Sequence, residues 1–213
     1  MYHLSTVSPE TYSLLKRIFQ IEPIRSSFAL AGGTSLALQI GHRKSIDLDL
    51  FTTNNFNPKE IEIILVQQPD LKFIYAGNNS RMLFSFINNI KCDFVQEPAP
   101  LLHPFVEKDG INYFSIEDIA AMKMHTICGR GKRKDFFDIY ALLQTYKWTD
   151  MLQWFANKYG ENQFYFLWKS IGYFADADSD GSVKGISPYD KSWEEIKKYI
   201  TLPVSSIIVG IQT

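Results

Sequence analysis

Hydrophobic residues at helical spacing predict two helices near the start of the chain. The first follows Ser8, which has the side chain of a helix cap, and is expected over residues 8–20. The second is expected to take Thr34 or Ser35 as its cap and to end at Gly41, because glycine commonly terminates helices. Two amphipathic helices near the start therefore open the predicted fold.

Between and after these helices, shorter apolar runs and alternating runs predict strands. Asn88-Asn89 separates two such runs by two residues, and this spacing is typical of a β-hairpin. The three strands around this turn are expected to form a meander. The predicted strands cover residues 28–31, 46–51, 71–76, 82–87 and 90–95, with a further helix at 58–68.

The pattern changes after residue 97. Three prolines mark a linker over residues 98–114, and helical periodicity dominates from there on. The sequence therefore predicts an α+β protein, with a mixed α/β core at residues 1–97 and a helical region at residues 98–213. The helices of this region are expected at about residues 115–128 and 134–146, at two places up to about residue 174, and at 192–200.

Composition limits the class of protein. The chain has 213 residues, of which 46% are hydrophobic and 21% charged, as in a globular protein with one main core. Its net charge of −1 means that any nucleic acid would have to bind a local basic patch. Cys92 and Cys128 form neither a disulfide framework nor a zinc motif. The first five residues do not resemble a signal peptide, and no apolar run approaches the roughly 20 residues of a membrane span. We therefore expect a cytoplasmic protein.

The residues that indicate chemistry begin with a pair of acids. Asp47 and Asp49 alternate with Leu48 and Leu50 in a predicted strand, so the two carboxylates should share one face while the leucines face the core. Carboxylates about 7 Å apart on one face suit a hard cation such as Mg²⁺ or Mn²⁺. The acid pair therefore predicts a metal site. A solvated edge strand is the alternative.

A phosphate site is predicted just before this strand. Gly32 and Gly33 let the backbone approach a ligand closely, and the helix that follows offers its amides to an anion. Thr34 and Ser35 could add hydrogen bonds to phosphate oxygens, and Arg43 could approach from the next loop. A metal pair beside an anion site is what phosphoryl or nucleotidyl transfer requires.

A third acid lies in the strand at residues 90–95. Asp93 faces opposite to Cys92 and Phe94 there. If this strand lies beside the strand that carries Asp47 and Asp49, the three carboxylates converge on one metal site. The alternative for Asp93 is an ordinary solvated strand acid.

Four segments in order resemble the AbiEii/AbiGii toxin family of nucleotidyltransferases, which belongs to the DNA polymerase β-like superfamily. They are Ala31–Phe51, Ile90–Val95, Ser115–Lys123 and Gly129–Asp138. The resemblance covers roughly residues 25–145. It implies a small mixed sheet with flanking helices and a helical C-terminal half. It also implies transfer of a nucleotide from an NTP, in some members to RNA such as tRNA, and a toxin role with a cognate antitoxin or in abortive infection.

The resemblance also implies roles for individual residues. Gly33 and Thr34 match the phosphate site, Asp47 and Asp49 match the metal ligands, and Asp93 is the candidate third acid. Two more matches, Lys123 and Asp135, fall on motifs of the second half that lie in or near the site. Asp138 is the nearest candidate for a fourth acid.

Two further expectations concern these helices. Asp135 and Asp138 are three residues apart on a helix whose other face is apolar, so they should share a side away from the core. Lys123 lies on a largely apolar helix, and a carboxylate or a phosphate partner would explain its position.

Basic residues of the second half offer a further phosphate site. Arg130, Lys132 and Arg133 lie in a glycine-containing turn and could hold a triphosphate or RNA phosphates. A solvated loop after a helix is an equal alternative. The segment 176–187 begins like a calcium loop but lacks its acidic twelfth residue, which favours a capped surface turn.

Two other functions stay open at this stage. A non-catalytic module of the same fold would bind a nucleotide or a partner without transfer. A transferase for a small molecule would fit the near-neutral charge, since a tRNA-binding protein usually has a larger basic surface.

Overall fold

The computed structural model describes residues 2–201. The chain divides into two compact units, Met1–Ser115 and Ile116–Thr213. All strands described below belong to the first unit, and the second unit is helical in its described part. The predicted α+β class is therefore confirmed.

The first unit is built on one mixed sheet with the strand order β3-β4-β5-β2-β1-β7-β6. The pairs β2/β5 and β1/β7 are parallel, and the other neighbours are antiparallel. The two inner pairings of β2, with β1 and with β5, place it near the middle of the sheet. In chain order the strands are β1 (Ala29–Ala31), β2 (Leu48–Thr52), β3 (Phe73–Asn79), β4 (Met82–Ile87), β5 (Ile90–Gln96), β6 (Val106–Lys108) and β7 (Ile111–Tyr113).

Local sequence explains most of these elements. Ser8 caps the first helix, because its hydroxyl accepts a hydrogen bond from the amide of Thr11 at 3.1 Å. Asn88 and Asn89 have φ values of 51° and 65°, which a two-residue hairpin turn of this kind requires. The helices of the first unit are α1 (Pro9–Ile18), α2 (Glu22–Arg25), α3 (Gly32–Ile40) and α4 (Pro58–Val66).

One predicted cap is wrong. Helix α3 begins at Gly32 with Ala31 as its N-cap and without a side-chain cap, so Thr34 and Ser35 lie inside the first turn. The predicted end is confirmed, since Gly41 follows the helix with a left-handed φ of 74°. The helix begins earlier because Gly32 opens it at a left-handed φ of 65°, a conformation that glycine adopts without steric cost.

Two strands lie in the stretch that the sequence interprets as a linker. β6 and β7 pair with each other, and β7 also pairs with β1 through Leu30 and Tyr113. The boundary between the two compact units falls between residues 115 and 116, and the sequence places it between residues 97 and 98. Strands of three residues show too few alternating positions to stand out beside prolines.

The second unit is a set of helices around α5. Helix α5 packs against α6, α7 and α8, and α6 packs against α9. No helix within residues 2–201 is long and apolar enough to cross a membrane. The helices are α5 (Ile116–Gly129), α6 (Arg133–Leu142), α7 (Trp148–Tyr159), α8 (Phe164–Ser170) and α9 (Ala175–Asp178), and residues 193–201 are also helical.

Candidate active site

Strands β2 and β5 run in parallel and bring two acids side by side. Asp49 is the direct register partner of Asp93, and Leu48 is the partner of Cys92. Leu48 and Cys92 are fully buried in the core, so alternation turns Asp49 and Asp93 to the opposite face of the sheet. The condition set by the sequence, that the two strands lie next to each other, is met.

Asp47 lies immediately before β2 and not within it, because the strand begins at Leu48 and not at residue 46. Its carboxylate is nevertheless close enough to act electrostatically on Lys91 of β5, together with Asp49 and Asp93. We call Asp47, Asp49 and Asp93 the carboxylate cluster. The three predicted acids therefore face one region of the sheet.

Lys91 is a member of this site that the sequence analysis missed. Its ammonium forms a salt bridge with Asp93 Oδ2. Burial lowers the pKa of this ammonium, while the hydrogen bond to Asp93 and the charges of the whole carboxylate cluster raise it, and the net pKa lies above the usual value. A lysine two residues before an acid in one strand shares its face, and this spacing could have identified Lys91.

The glycines of α3 lie directly under two charged side chains. Gly32 has a φ of 65°, and a Cβ placed on it would lie 2.5 Å from Asp49 Oδ2. A Cβ on Gly33 would overlap the guanidinium of Arg43, whose Nη1 donates to the carbonyl of Lys44 at 3.0 Å. The bare backbone at the start of α3 thus lies against one carboxylate and one guanidinium, a composition suited to a metal-bound phosphate.

The hydroxyl groups of the first turn have partners inside the protein. Thr34 is buried, donates to the backbone carbonyl of Asp47, and lies 2.8 Å from Ser45 Oγ. Ser35 is buried and accepts from Gln39 Nε2 at 3.0 Å. In this arrangement Thr34 ties the start of α3 to the residue that begins the acidic motif.

The donor atoms of the carboxylate cluster suit a hard divalent cation. Asp93 Oδ1 is buried without a hydrogen-bond partner, which leaves an oxygen lone pair available to a cation. Within residues 2–201, however, no three His, Cys, Asp or Glu side chains are arranged closely enough to hold a metal ion together. The three carboxylates therefore do not converge closely enough to form one three-ligand site, and the other oxygen of Asp93 is paired with Lys91. Two carboxylates can still suffice, since Mg²⁺ usually takes one or two from the protein and its other ligands from phosphates and water.

Replacing Gly32 by Ala tests whether Asp49 needs the bare backbone. We expect a loss of stability of about 1–2 kcal/mol from the left-handed φ, plus displacement of the Asp49 carboxylate. Gly110→Ala is the matched control, because Gly110 has a φ of 76° but nothing within 4 Å of its position for a Cβ. Thermal unfolding and Mn²⁺ binding measure the two effects. Weaker Mn²⁺ binding in Gly32→Ala alone is the expected result, and equal binding in both variants would contradict it.

The matched residues of the second unit form a buried ion group of their own. Lys123 Nζ on α5 lies 2.9 Å from Asp135 Oδ1 and 2.7 Å from Asp138 Oδ2, both on α6. We call these residues the buried triad. All three are buried, so the expectation that the two acids face away from the core is wrong. The i, i+3 spacing puts both acids on one side of α6, and that side faces the lysine of α5. The sequence predicted a carboxylate or a phosphate as the partner of Lys123, and the structure shows two carboxylates.

The basic residues of the turn before α6 lie in different environments. Arg130 and Lys132 are exposed, as a phosphate contact would require. Arg133 instead donates to the carbonyls of Ala177 and Asp178, at 3.0 and 2.8 Å, so its guanidinium holds the end of α9. The segment that begins like a calcium loop is thus linked to the start of α6 through the backbone carbonyls of Ala177 and Asp178.

Three comparisons extend these observations. The sequence profile of a family described as "Nucleotidyl transferase AbiEii toxin, Type IV TA system" matches residues 13–180. A protein of Aquifex aeolicus, aq_aa25, whose name assigns no activity, is 31% identical over 191 residues, which are 87% of this chain and 90% of that protein.

Two solved structures have a similar fold. A Helicobacter pylori structure named as a candidate nucleotidyltransferase has a TM-score of 0.57 at 18% identity, over 96% of this chain and 97% of that one. The nucleotidyltransferase toxin MenT4 of Mycobacterium tuberculosis has a TM-score of 0.51 at 13% identity, over 93% of this chain and 86% of that one. These likenesses support the nucleotidyltransferase type of fold that the sequence predicted.

Proposed function

Because the chain belongs to the AbiEii family of nucleotidyltransferase toxins from type IV toxin–antitoxin systems, we propose that it transfers a nucleotide from an NTP to RNA, with tRNA the favoured acceptor, in a reaction that needs Mg²⁺ or Mn²⁺. The observation that carries this proposal is the register of Asp49 beside Asp93, with the bare backbone of Gly32 directly under Asp49. These two contacts support a common location for the acid pair and the proposed phosphate site.

The first unit would bind the nucleotide. Backbone groups at Gly32 and Gly33 approach the phosphates, and the guanidinium of Arg43 neutralises part of their charge. Asp47 and Asp49 would hold the divalent ion, which supplies charge neutralisation at the phosphates when it is bound. Thr34 links the start of α3, where the phosphates are proposed to bind, to the acidic motif through its hydrogen bond to the carbonyl of Asp47.

The reaction itself is a displacement at the α-phosphate. An acceptor hydroxyl near Asp93 attacks, a new oxygen–phosphorus bond forms, and the bond to the β-phosphate breaks to release pyrophosphate. Asp93 orients the hydroxyl and takes its proton. We also propose that Lys123 and Asp135 of the second unit contribute to the reaction. This assignment rests on the family resemblance.

The partners of this reaction are proposals as well. Arg130 and Lys132 are exposed and available to acceptor phosphates, with Arg133 anchoring their turn. A cognate antitoxin and a part in abortive infection follow from the family alone, and cytoplasmic localisation stays a prediction of the sequence.

Label transfer tests the proposal directly. The purified protein is incubated with Mg²⁺ and each α-labelled NTP in turn, with total RNA, total protein, small-molecule extract or no acceptor. Label on RNA is the expected result. Label on a small molecule would favour the alternative that suits the near-neutral charge, and NTP binding without any transfer would favour the non-catalytic module.

A change at Lys91 tests the metal assignment without measuring activity. Lys91→Met removes a cation that competes for the carboxylate cluster, so Mn²⁺ should bind at least about tenfold more tightly, since two unit charges about 4 Å apart interact by about 1 kcal/mol even in water and Mn²⁺ carries a double charge. Titration followed by electron paramagnetic resonance measures the affinity. Lys72→Met is the control, because it removes the same charge from an exposed position outside the cluster. Weaker binding in Lys91→Met would show that the lysine supports the site and does not compete with the ion.

A further inference from the structure

The face of the sheet that carries the carboxylate cluster continues onto β4 and β3. Phe84 is the direct register partner of Asp93, and Phe86 is the partner of Lys91. Residues directly opposite each other in antiparallel strands point to the same side of the sheet. Phe84 and Phe86 therefore stand on the same face as the acids, one strand further out.

This face stays apolar up to the edge strand. Ile74 of β3 is the register partner of Phe86, and these two side chains are 54% and 41% exposed. Gly77 is opposite Phe84, and since glycine has no side chain, nothing at that position covers the ring of Phe84. We call Ile74, Phe84 and Phe86 the apolar strip.

We infer that the apolar strip binds unpaired bases of a single-stranded RNA acceptor by stacking. The inference rests on the proposed transfer reaction, because it takes the carboxylate cluster as the place where the acceptor hydroxyl reacts. An RNA strand whose reacting hydroxyl lies at Asp93 has to continue over a neighbouring surface of the protein. Towards β4 that surface offers aromatic rings, which stack on any base.

One cation lies beside the strip. Lys91 lies opposite Phe86 and its side chain is 42% exposed, so its ammonium, which pairs with Asp93, lies next to the exposed ring. Aromatic rings with an adjacent cation are the combination by which sheet surfaces bind single-stranded nucleic acid. A protein partner would need only the apolar area, and nothing in its binding would require the strip to join the acids.

Anisotropy of a fluorescein-labelled, mixed-sequence 12-nucleotide RNA tests the inference on the full chain at fixed salt. Phe86→Ala should weaken binding about 10- to 100-fold, as loss of one stacked base does. Phe86→Trp should keep the affinity, while Phe86→Leu, which keeps the apolar surface but not the ring, should lose nearly as much as Phe86→Ala. The same RNA in a duplex should not respond to these changes.

Tyr75→Ala is the matched control. Tyr75 is an exposed aromatic residue of β3 next to Ile74, and alternation turns it to the other face. Its loss should leave RNA binding unchanged. Thermal unfolding of every variant verifies that the exposed substitutions preserve the fold.

Several results would overturn the inference. One is wild-type binding by Phe86→Leu, which would mark a general apolar docking surface for protein. Another is full binding by Phe86→Ala, and a third is no binding of single-stranded RNA by the unaltered protein. Label transfer with the same variants separates the two proposals. RNA binding through Phe86 without any nucleotide transfer would overturn only the proposed function, and transfer that Phe86→Ala leaves intact would overturn only the strip.

Discussion

Asp49→Asn is expected to abolish nucleotide transfer, with a loss of at least about a thousandfold. The reason is that the amide removes a negative charge at the position where the divalent ion is proposed to bind, and such an ion contributes several kcal/mol to phosphoryl chemistry. The substitution keeps the size of the side chain, so the bare backbone at Gly32 is still covered. Transfer of label from the preferred α-labelled NTP measures the effect.

The control for this variant is Asp70→Asn. Asp70 belongs to the same unit but pairs with Arg17 at 2.6 Å, outside the carboxylate cluster. Asp70→Asn removes the same charge and should leave transfer within about twofold of the unaltered protein, since surface ion pairs contribute about 0–1 kcal/mol. Equal activity of both variants would exclude Asp49 as a metal ligand and reopen the non-catalytic module.

Lys123→Met is expected to destabilise the second unit by about 3–5 kcal/mol. The substitution leaves Asp135 and Asp138 buried without their cation, and uncompensated buried charge is among the most costly changes in a protein. Urea unfolding followed by the fluorescence of the tryptophans measures the loss. A loss below about 0.5 kcal/mol, which is ordinary for surface changes, would contradict the buried triad.

A triple variant separates folding from catalysis. Lys123→Met combined with Asp135→Leu and Asp138→Leu replaces the whole triad by apolar side chains, which often recovers the stability that removing one partner loses. We expect this variant to fold but to lack nucleotide transfer, because Asp135 is proposed to serve the reaction. Recovery of transfer along with stability would assign the triad a structural role only.

The site shows which contacts a sequence can predict. The alternation around Asp49 and around Asp93 indicated the face of the strand on which each residue lies, since the two-residue repeat of a strand depends only on backbone geometry. Their adjacency could be stated only as a condition, because β2 and β5 are separated by about forty residues and their pairing depends on the whole sheet. Lys91 could have been found from its two-residue spacing to Asp93, but its closeness to Asp47 and Asp49 depends on the same strand pairing.

The buried triad illustrates a different limit. Lys123 on an apolar helix indicated a charged partner, and the spacing of Asp135 and Asp138 put both acids on one side of their helix. Which side faces the core could not be read from α6 alone, because its polar and aromatic faces are both covered. The environment of an ionisable residue depends on how helices pack, and helix periodicity does not contain that information.

By itself the sequence determined the class of fold, most strands and helices to within a few residues, the hairpin at Asn88-Asn89 and the acids that carry the proposed chemistry. These follow from short-range physics: alternation, capping and backbone conformations that favour particular residues. Only the tertiary structure decided that Asp49 lies beside Asp93, that Gly32 lies under a carboxylate, that Lys91 lies close to all three acids, and that an apolar strip adjoins them. Each of these is a contact between segments distant in the chain, set by the order and register of strands in the sheet.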